Sequence, residues 1–404
     1  MRTSLLAAFA ALALLASACD EDEAPAEPSE SVDESPEGAE PHAGIDVDDP
    51  SVCAGCHAEV VREWRGSMHA SAHHDADPIY GAMRTLRMGR EGAELATKCA
   101  NCHGPRDPAN PDSAVARQGV SCATCHALEG VERGEGGRRR GAKALQWSPN
   151  GRLRGPHDVT SDAAPHPVGE AAPWITDGET LCLACHGEMT NAQGAPTCTT
   201  GTEHQAAAGD GTCTHCHMPE VAGPSGAVST RGTHRSHAFL GPHTLWAEEP
   251  EPAFMASAVA LEGTLEGEAL ELRITNQTQH AMPSGFPGRM VLVRARGLDA
   301  EGEVVWQNFT DAPMQQDPDA VLNKVYHDAE GQPILPPYGV ELVRDTRLRP
   351  DETRTLRWTV PEGVQKVEVA LIYRLLPPPA VEALGLEGRP EAGARPFASL
   401  TVER

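Results

Sequence analysis

The sequence predicts an α+β multidomain chain: a mainly helical, loop-rich domain over residues 51–247, followed by an all-β sandwich-like domain over 248–404. Three observations carry this expectation. The pentapeptide Cys-x-x-Cys-His occurs five times before residue 218 and not after it. Runs that alternate apolar and polar residues, the strand period, begin only beyond residue 258. An acidic, Pro-rich stretch from 20 to 50 precedes both regions and is too poor in apolar groups to repay its own ordering.

The N-terminus sets the redox compartment in which the cysteines are read. Met1-Arg2 is a short positive start, Leu5 to Leu15 is apolar, and Ala16, Ser17 and Ala18 lead into Cys19. This is the layout of a secretory signal peptide over 1–18, too short before the acidic run to span a membrane as a helix. A cysteine at the cleavage point is similar to the bacterial lipoprotein signal, which implies lipidation at Cys19, although Ala16 stands where that signal prefers Leu. An ordinarily secreted chain is the alternative. Residues 19–50 then form a lipidated N-terminus and an acidic disordered linker with thirteen Asp and Glu and no Lys or Arg, about half of the net charge of −25. The linker reads as a solvated spacer, or more sharply as a docking tail for a basic partner. Export and net acidity together argue against nucleic-acid binding. The expected location is the periplasm or cell envelope, as a membrane-anchored lipoprotein.

Ten of the 12 cysteines lie in the five units: Cys53 and Cys56, Cys99 and Cys102, Cys122 and Cys125, Cys182 and Cys185, Cys213 and Cys216. With 18 His in 404 residues, chance predicts about 0.02 such pentapeptides. Two thiols three residues apart can form thioethers with the two vinyl groups of one porphyrin, and the next histidine then lies under the iron. Structural zinc gives no reason for a histidine after every pair, and disulfides would make five redox sites without a thioredoxin-like pattern. The first domain is therefore expected to be a multihaem cytochrome c domain holding five covalently bound c-type haems and their iron. Its proximal ligands are His57, His103, His126, His186 and His217. The unit spacings of 46, 23, 60 and 31 residues argue against a solenoid of equal repeats. About 200 residues with few aromatics make a poor core, so buried porphyrins are expected to supply the missing apolar surface and folding to depend on haem attachment.

Thirteen histidines remain for the second axial positions. Val60, Trp64 and Met68 recur at helical spacing, which predicts one helix from His57 to His69. Twelve residues at about 1.5 Å each put those histidines about 18 Å apart, so His69 must serve a different haem. His166, His237 and His243 are the other candidate distal ligands, with His73, His157 and His234 behind them. Met218 directly follows a proximal histidine and cannot reach the opposite face of that haem. The glycine-rich basic stretch 133–143 reads as a solvated loop, or as a partner for propionates or an acidic protein.

The stretches "EWRGSMHASA", "GVSCATCH", "GPHD" and "CHMPE" with "RSHAFLGPH" give residues 51–247 a resemblance to the multihaem cytochrome c-554 family. The resemblance implies a mostly helical, loop-rich haem domain with haems in close pairs, and an axial ligand at the histidine of Trp-x-x-Ser-x-His, here His69. Relatives include electron carriers of ammonia oxidisers and, more distantly, hydroxylamine oxidoreductase and cytochrome c nitrite reductase. The family's carrier has four haems, so the fifth here and its ligand do not transfer.

In the second domain Leu270, Leu272 and Ile274 alternate with polar residues, as do Leu356, Trp358 and Val360, and Val367, Val369, Leu371 and Tyr373. "LDAEGE" is a turn between two such runs. "NQTQHAMPSG" resembles a motif of β domains attached to multihaem cytochromes; its His280 either reaches a haem or belongs to a structural turn.

Function follows as electron transfer between redox partners in a respiratory chain, such as other cytochromes or membrane oxidoreductases. Bis-histidine ligation favours the lower potentials of anaerobic respiration. The alternative is a reductase or oxidoreductase acting on a small nitrogen or sulfur compound at a haem with an open axial position, with His73, His157 or His204 as proton donors. A Cys-x-x-Cys-Lys unit is absent, and no tyrosine matches a catalytic cross-link, so no catalytic residue is assigned. A third reading makes the β domain the working part, and Cys198 is either a reactive thiol or a buried inert one.

Overall fold

Helices and sheets divide the chain along its length in the computed structural model, which describes residues 45–159, 164–248 and 250–404. The signal peptide, Cys19 and nearly all of the acidic linker lie outside these residues. Among the described residues, nine α-helices occupy the first half: α1 Pro50–Cys53, α2 Ala58–Arg65, α3 Pro78–Glu91, α4 Leu95–His103, α5 Cys122–His126, α6 Pro173–Thr176, α7 Thr180–His186, α8 Thr200–Ala206 and α9 Cys213–His217. Two small antiparallel hairpins interrupt them, β1 Leu128–Val131 with β2 Leu145–Trp147 and β3 Glu220–Ala222 with β4 Thr233–Arg235.

Local chemistry explains the element bounds. In α3, Pro78 takes the first turn, where its missing N–H costs nothing, and the Asp77 carboxylate accepts from Ile79 N (2.9 Å) and Tyr80 N (3.1 Å). The helix ends at Gly92, whose φ of 92° few other residues tolerate. The continuous helix expected from His57 to His69 is not formed. Ser67 Oγ donates back to Trp64 O (2.7 Å) at Gly66, so α2 stops at Arg65 and the chain turns before His69. The buried stripe is Val61, Trp64 and Ser67 instead of Val60, Trp64 and Met68, and Met68 is exposed.

The second half is built from strands. β5 Val259–Glu266, β6 Ala269–Asn276 and β13 Thr353–Thr359 form one antiparallel sheet in the order β13-β6-β5. β7 Met290–Leu298, β8 Val304–Gln307, β14 Lys366–Arg374 and β15 Ala394–Glu403 form another in the order β15-β14-β7-β8, with β9 Val321–Leu322 on β7. β10 Lys324–His327, β11 Pro333–Ile334 and β12 Glu341–Asp345 make a third, smaller sheet. The period-2 pattern is realised: Leu270, Leu272 and Ile274 on β6 face Val367, Val369, Leu371 and Tyr373 on β14 within a single buried cluster. Two sheets packed face to face in this way are a sandwich.

Few apolar side chains form clusters before residue 245. A cluster of Leu128, Ala144, Leu145 and Ala184 is small beside the sandwich core. The halves are nonetheless stitched together, and Gly44–Arg404 forms one compact unit. Asn191 Nδ2 donates to Pro336 O (2.9 Å) and Gly339 O (2.7 Å), Tyr326 OH to Pro196 O (2.7 Å), and Trp246 Nε1 to Pro390 O (2.9 Å). Ile79 and Ala82 of α3 pack on Leu376, Ala380 and Val381. No helix among the described residues is long and apolar enough to cross a membrane.

The sandwich core sets a stability expectation. Leu371 is fully buried between the sheets, so Leu371→Ala should destabilise the chain by about 2–5 kcal/mol. A urea titration followed by circular dichroism reads this as a lowered midpoint.

Candidate haem centres

Four of the five Cys-x-x-Cys-His units form a helix that closes on its histidine: α4, α5, α7 and α9. In the first unit α1 ends at Cys53, and a further turn follows in which His57 N donates to Cys53 O (2.8 Å). One helical turn puts positions i, i+3 and i+4 on one face, so both thiols and the imidazole of each unit address the same region. None of these ten cysteines is in a disulfide.

Four of the five imidazoles in these units are oriented through their Nδ1 atoms. Nδ1 of His57 lies 2.6 Å from Ser225 O, that of His103 2.9 Å from Ala72 O, that of His126 2.7 Å from Arg154 O and that of His217 2.5 Å from Leu240 O. A carbonyl can only accept, so Nδ1 carries the proton and Nε2 is left with its lone pair to bind a metal.

Four of these rings face a second imidazole at nearly constant separation. Ring centroids lie 6.2 Å apart for His57 and His166, 6.2 Å for His69 and His186, 6.3 Å for His126 and His237, and 6.2 Å for His217 and His280. Direct ring stacking would be closer. Two metal–imidazole bonds of about 2 Å each, plus the reach from ring centre to nitrogen, fill a gap of about 6 Å. The residues present therefore fit an iron between each pair. Burial keeps several of these rings in the neutral, ligating form: it pushes His69 down to about 3, and His186 and His237 down to about 4. His103, His126 and His280 are lowered for the same leading reason.

The expected distal ligands distribute unevenly. His69, His166 and His237 each face a proximal histidine, whereas His243 faces none; it is half-buried near Arg289 and His217. The place opposite His217 is taken by His280, from the loop after β6. The motif "NQTQHAMPSG" was the signal for it, and its fully buried Asn276 explains the asparagine: Nδ2 donates to His280 O (2.8 Å) and Leu348 O (3.1 Å). His103 has no such partner among the described residues. Its ring stacks on Tyr80, with centroids 3.9 Å and planes 20° apart.

Several other described histidines are engaged elsewhere or exposed. His73 Nε2 donates to Pro111 O (2.8 Å) and its Nδ1 accepts from Asp75 N (3.2 Å). His204 Nε2 lies 3.0 Å from the Glu179 carboxylate, and His157 is exposed. Buried His234 lies between Gly223 O and the Glu63 carboxylate, whose other bond is from His237 N (2.8 Å). Cys198 is buried near Thr200 Oγ1 (3.7 Å), outside every unit. In the basic stretch Arg138 is exposed, while Gly141 packs on the second unit: a Cβ there would lie 2.0 Å from Asn101 O and 2.9 Å from Cys102 Sγ.

Thiol contacts give the units an order in space. Cys53 lies beside Cys122, Cys102 beside Cys185, and Cys182 beside Cys213. Cys125 lies close enough to Cys182 and Cys185 to disfavour their thiolates. The sequence is first, third, fourth, with the second and fifth units both beside the fourth.

Comparison with known proteins agrees with this geometry. The family model described as cytochrome c554 and c-prime matches residues 52–127. The chain is also similar to a penta-haem cytochrome c552 from Thermochromatium tepidum, whose crystal structure superposes with a TM-score of 0.74 at 28% identity, over 87% of this chain and 97% of that one. The chain is a multihaem c-type cytochrome. No curated protein matches it. In the cytochrome the cysteine thiols attach the haems, and the groups bring one-electron chemistry to a chain whose own residues orient the ligands and exclude water. A pyridine haemochrome assay on the mature protein should give five haem c per chain. Replacing Cys182 and Cys185 together by Ser should leave no more than four.

Proposed function

We propose that the cytochrome is an exported, lipid-anchored electron carrier that passes electrons between redox partners of a respiratory chain. The observation that carries this reading is the set of four facing histidine pairs, since an iron with two strong axial ligands exchanges electrons without binding substrate. His57, His103, His126, His186 and His217 are the proposed proximal ligands, and His166, His69, His237 and His280 the distal ones. The run of first, third, fourth and fifth units offers a path between two ends at which Cys56 and Cys216 are exposed. Lipidation at Cys19 and the acidic linker of 20–50 would tether the carrier to a membrane while leaving it free to reach other cytochromes or membrane oxidoreductases. Location in the periplasm or cell envelope accords with the usual place of c-type cytochromes. In this reading 51–247 carries the haems and 248–404 is a β-sandwich domain that lends one ligand.

A second reading rests on His103. Without a second imidazole, its haem would keep one axial position for a small nitrogen or sulfur compound, on the face away from His103 and Tyr80. Low-temperature electron paramagnetic resonance on the oxidised protein separates the two. Four low-spin haems and one high-spin haem are expected. The carrier reading stands if that high-spin signal ignores nitrite, hydroxylamine and sulfite, and gives way if one of them binds there and is turned over repeatedly by the reduced protein.

A further inference from the structure

The His280 loop is held by the haem-bearing half of the chain through one buried carboxylate. Glu203 lies on α8, between the fourth and fifth Cys-x-x-Cys-His units. Its Oε2 accepts from Ala281 N (3.0 Å), the residue next to His280, and from Ser284 Oγ (2.9 Å). Its Oε1 accepts from Thr199 Oγ1 and pairs with the Arg347 guanidinium at 2.8 Å. Arg347 also pairs with Asp345 (2.8 Å) and donates to Pro283 O (3.4 Å), inside the same loop. Thr200 completes the attachment: its Oγ1 accepts from Gly285 N (3.1 Å) and lies 2.8 Å from Ser284 Oγ. The loop is thus bonded at 281, 283, 284 and 285 to a charged network whose Glu203 and Arg347 side chains are only 13% and 10% exposed.

That concentration of polar bonds is out of proportion to a surface turn. Burying a carboxylate is costly unless it is paired and fully hydrogen-bonded, and here both conditions are met at the one loop that carries an imidazole facing a proximal histidine. His280 itself is set by short-range bonds: its Nδ1 lies 3.1 Å from Ala281 O, which leaves Nε2 toward His217. The residue whose carbonyl orients the ring, Ala281, is therefore the residue whose amide Glu203 grips. Outer partners of this kind fix ligand orientation, and their loss typically weakens metal binding about 10–100-fold.

We infer that Glu203, locked by Arg347, is the positioning residue that delivers His280 as second axial ligand to the haem on Cys213 and Cys216. This rests on the reading of His217 and His280 as a ligand pair, and three variants of the holoprotein keep the two claims separate. His280→Ala should convert one low-spin haem to high-spin, and added imidazole should restore it; a spectrum unchanged from wild type overturns the ligand pair and the inference with it. Glu203→Ala should raise the population with His280 detached about 10-fold or more, seen as partial high-spin character and a shifted midpoint potential in one haem, with the other four unmoved. Glu203→Gln keeps an acceptor for Ala281 N and should restore most of the low-spin signal. If His280→Ala opens the haem while Glu203→Ala leaves its spin state and potential at wild-type values, the positioning role is wrong. Should Glu203→Ala not accumulate, Ser284→Ala removes one bond of the same grip and is expected to shift the same haem to a lesser degree; a shift spread over all five haems would instead mark general loosening and overturn the inference.

Discussion

The gap of about 6 Å between facing imidazoles, the span of an iron in the proposed ligation, is the constraint on which the first half of the cytochrome depends. Three of the four facing pairs join residues more than one hundred positions apart, and the fourth joins the two halves. Each pair closes a long loop of chain, the connection that a hydrophobic core makes elsewhere through many weak contacts. The apolar clusters reflect this division of labour: the sandwich has an extensive core, whereas the haem-bearing half has a small one. Its short helices and irregular connections cannot bury enough side-chain surface alone, and the porphyrin faces supply what is missing.

Ligand orientation falls to the backbone and to buried carboxylates. Backbone carbonyls take the Nδ1 protons of His57, His103, His126 and His217, which selects the tautomer. Two distal loops are gripped from helices of the haem-bearing half by an acidic side chain: Glu63 of α2 accepts the His237 N–H, and Glu203 of α8 accepts the N–H next to His280. Segments distant in sequence are placed by the same device, a carboxylate with its own cationic or imidazole partner receiving a main-chain amide. Because the acceptor holds the backbone and not the ring, the imidazole remains free to bind metal.

Much of this was legible in the residues. Cys-x-x-Cys-His is a local requirement of covalent attachment, so spacing alone marks ten thiols and five histidines as the candidates. Period-2 alternation located β6, β13 and β14 because a half-buried strand has no other way to be amphipathic. Distal ligands are a different matter, since nothing near them in sequence has to differ. His69 was marked by a motif. His243 and His280 were both plausible from their surroundings, and only the fold decides that His280 meets His217. The helix expected to run to His69 failed for a local reason, the Ser67 hydroxyl competing for Trp64 O at Gly66, and that turn is what frees His69 to face His186.

The attachment of His280 to the β half carries a consequence for biogenesis. Residues 213–217 leave the ribosome well before residue 280, and the strands that frame His280 continue to residue 403. All five thioether pairs can therefore be made on a chain whose last ligand does not yet have a folded setting. In the proposed ligation the fifth unit then becomes the step that reports completion of the molecule: a newly made chain with every haem attached is still immature until the sandwich closes and docks against α8.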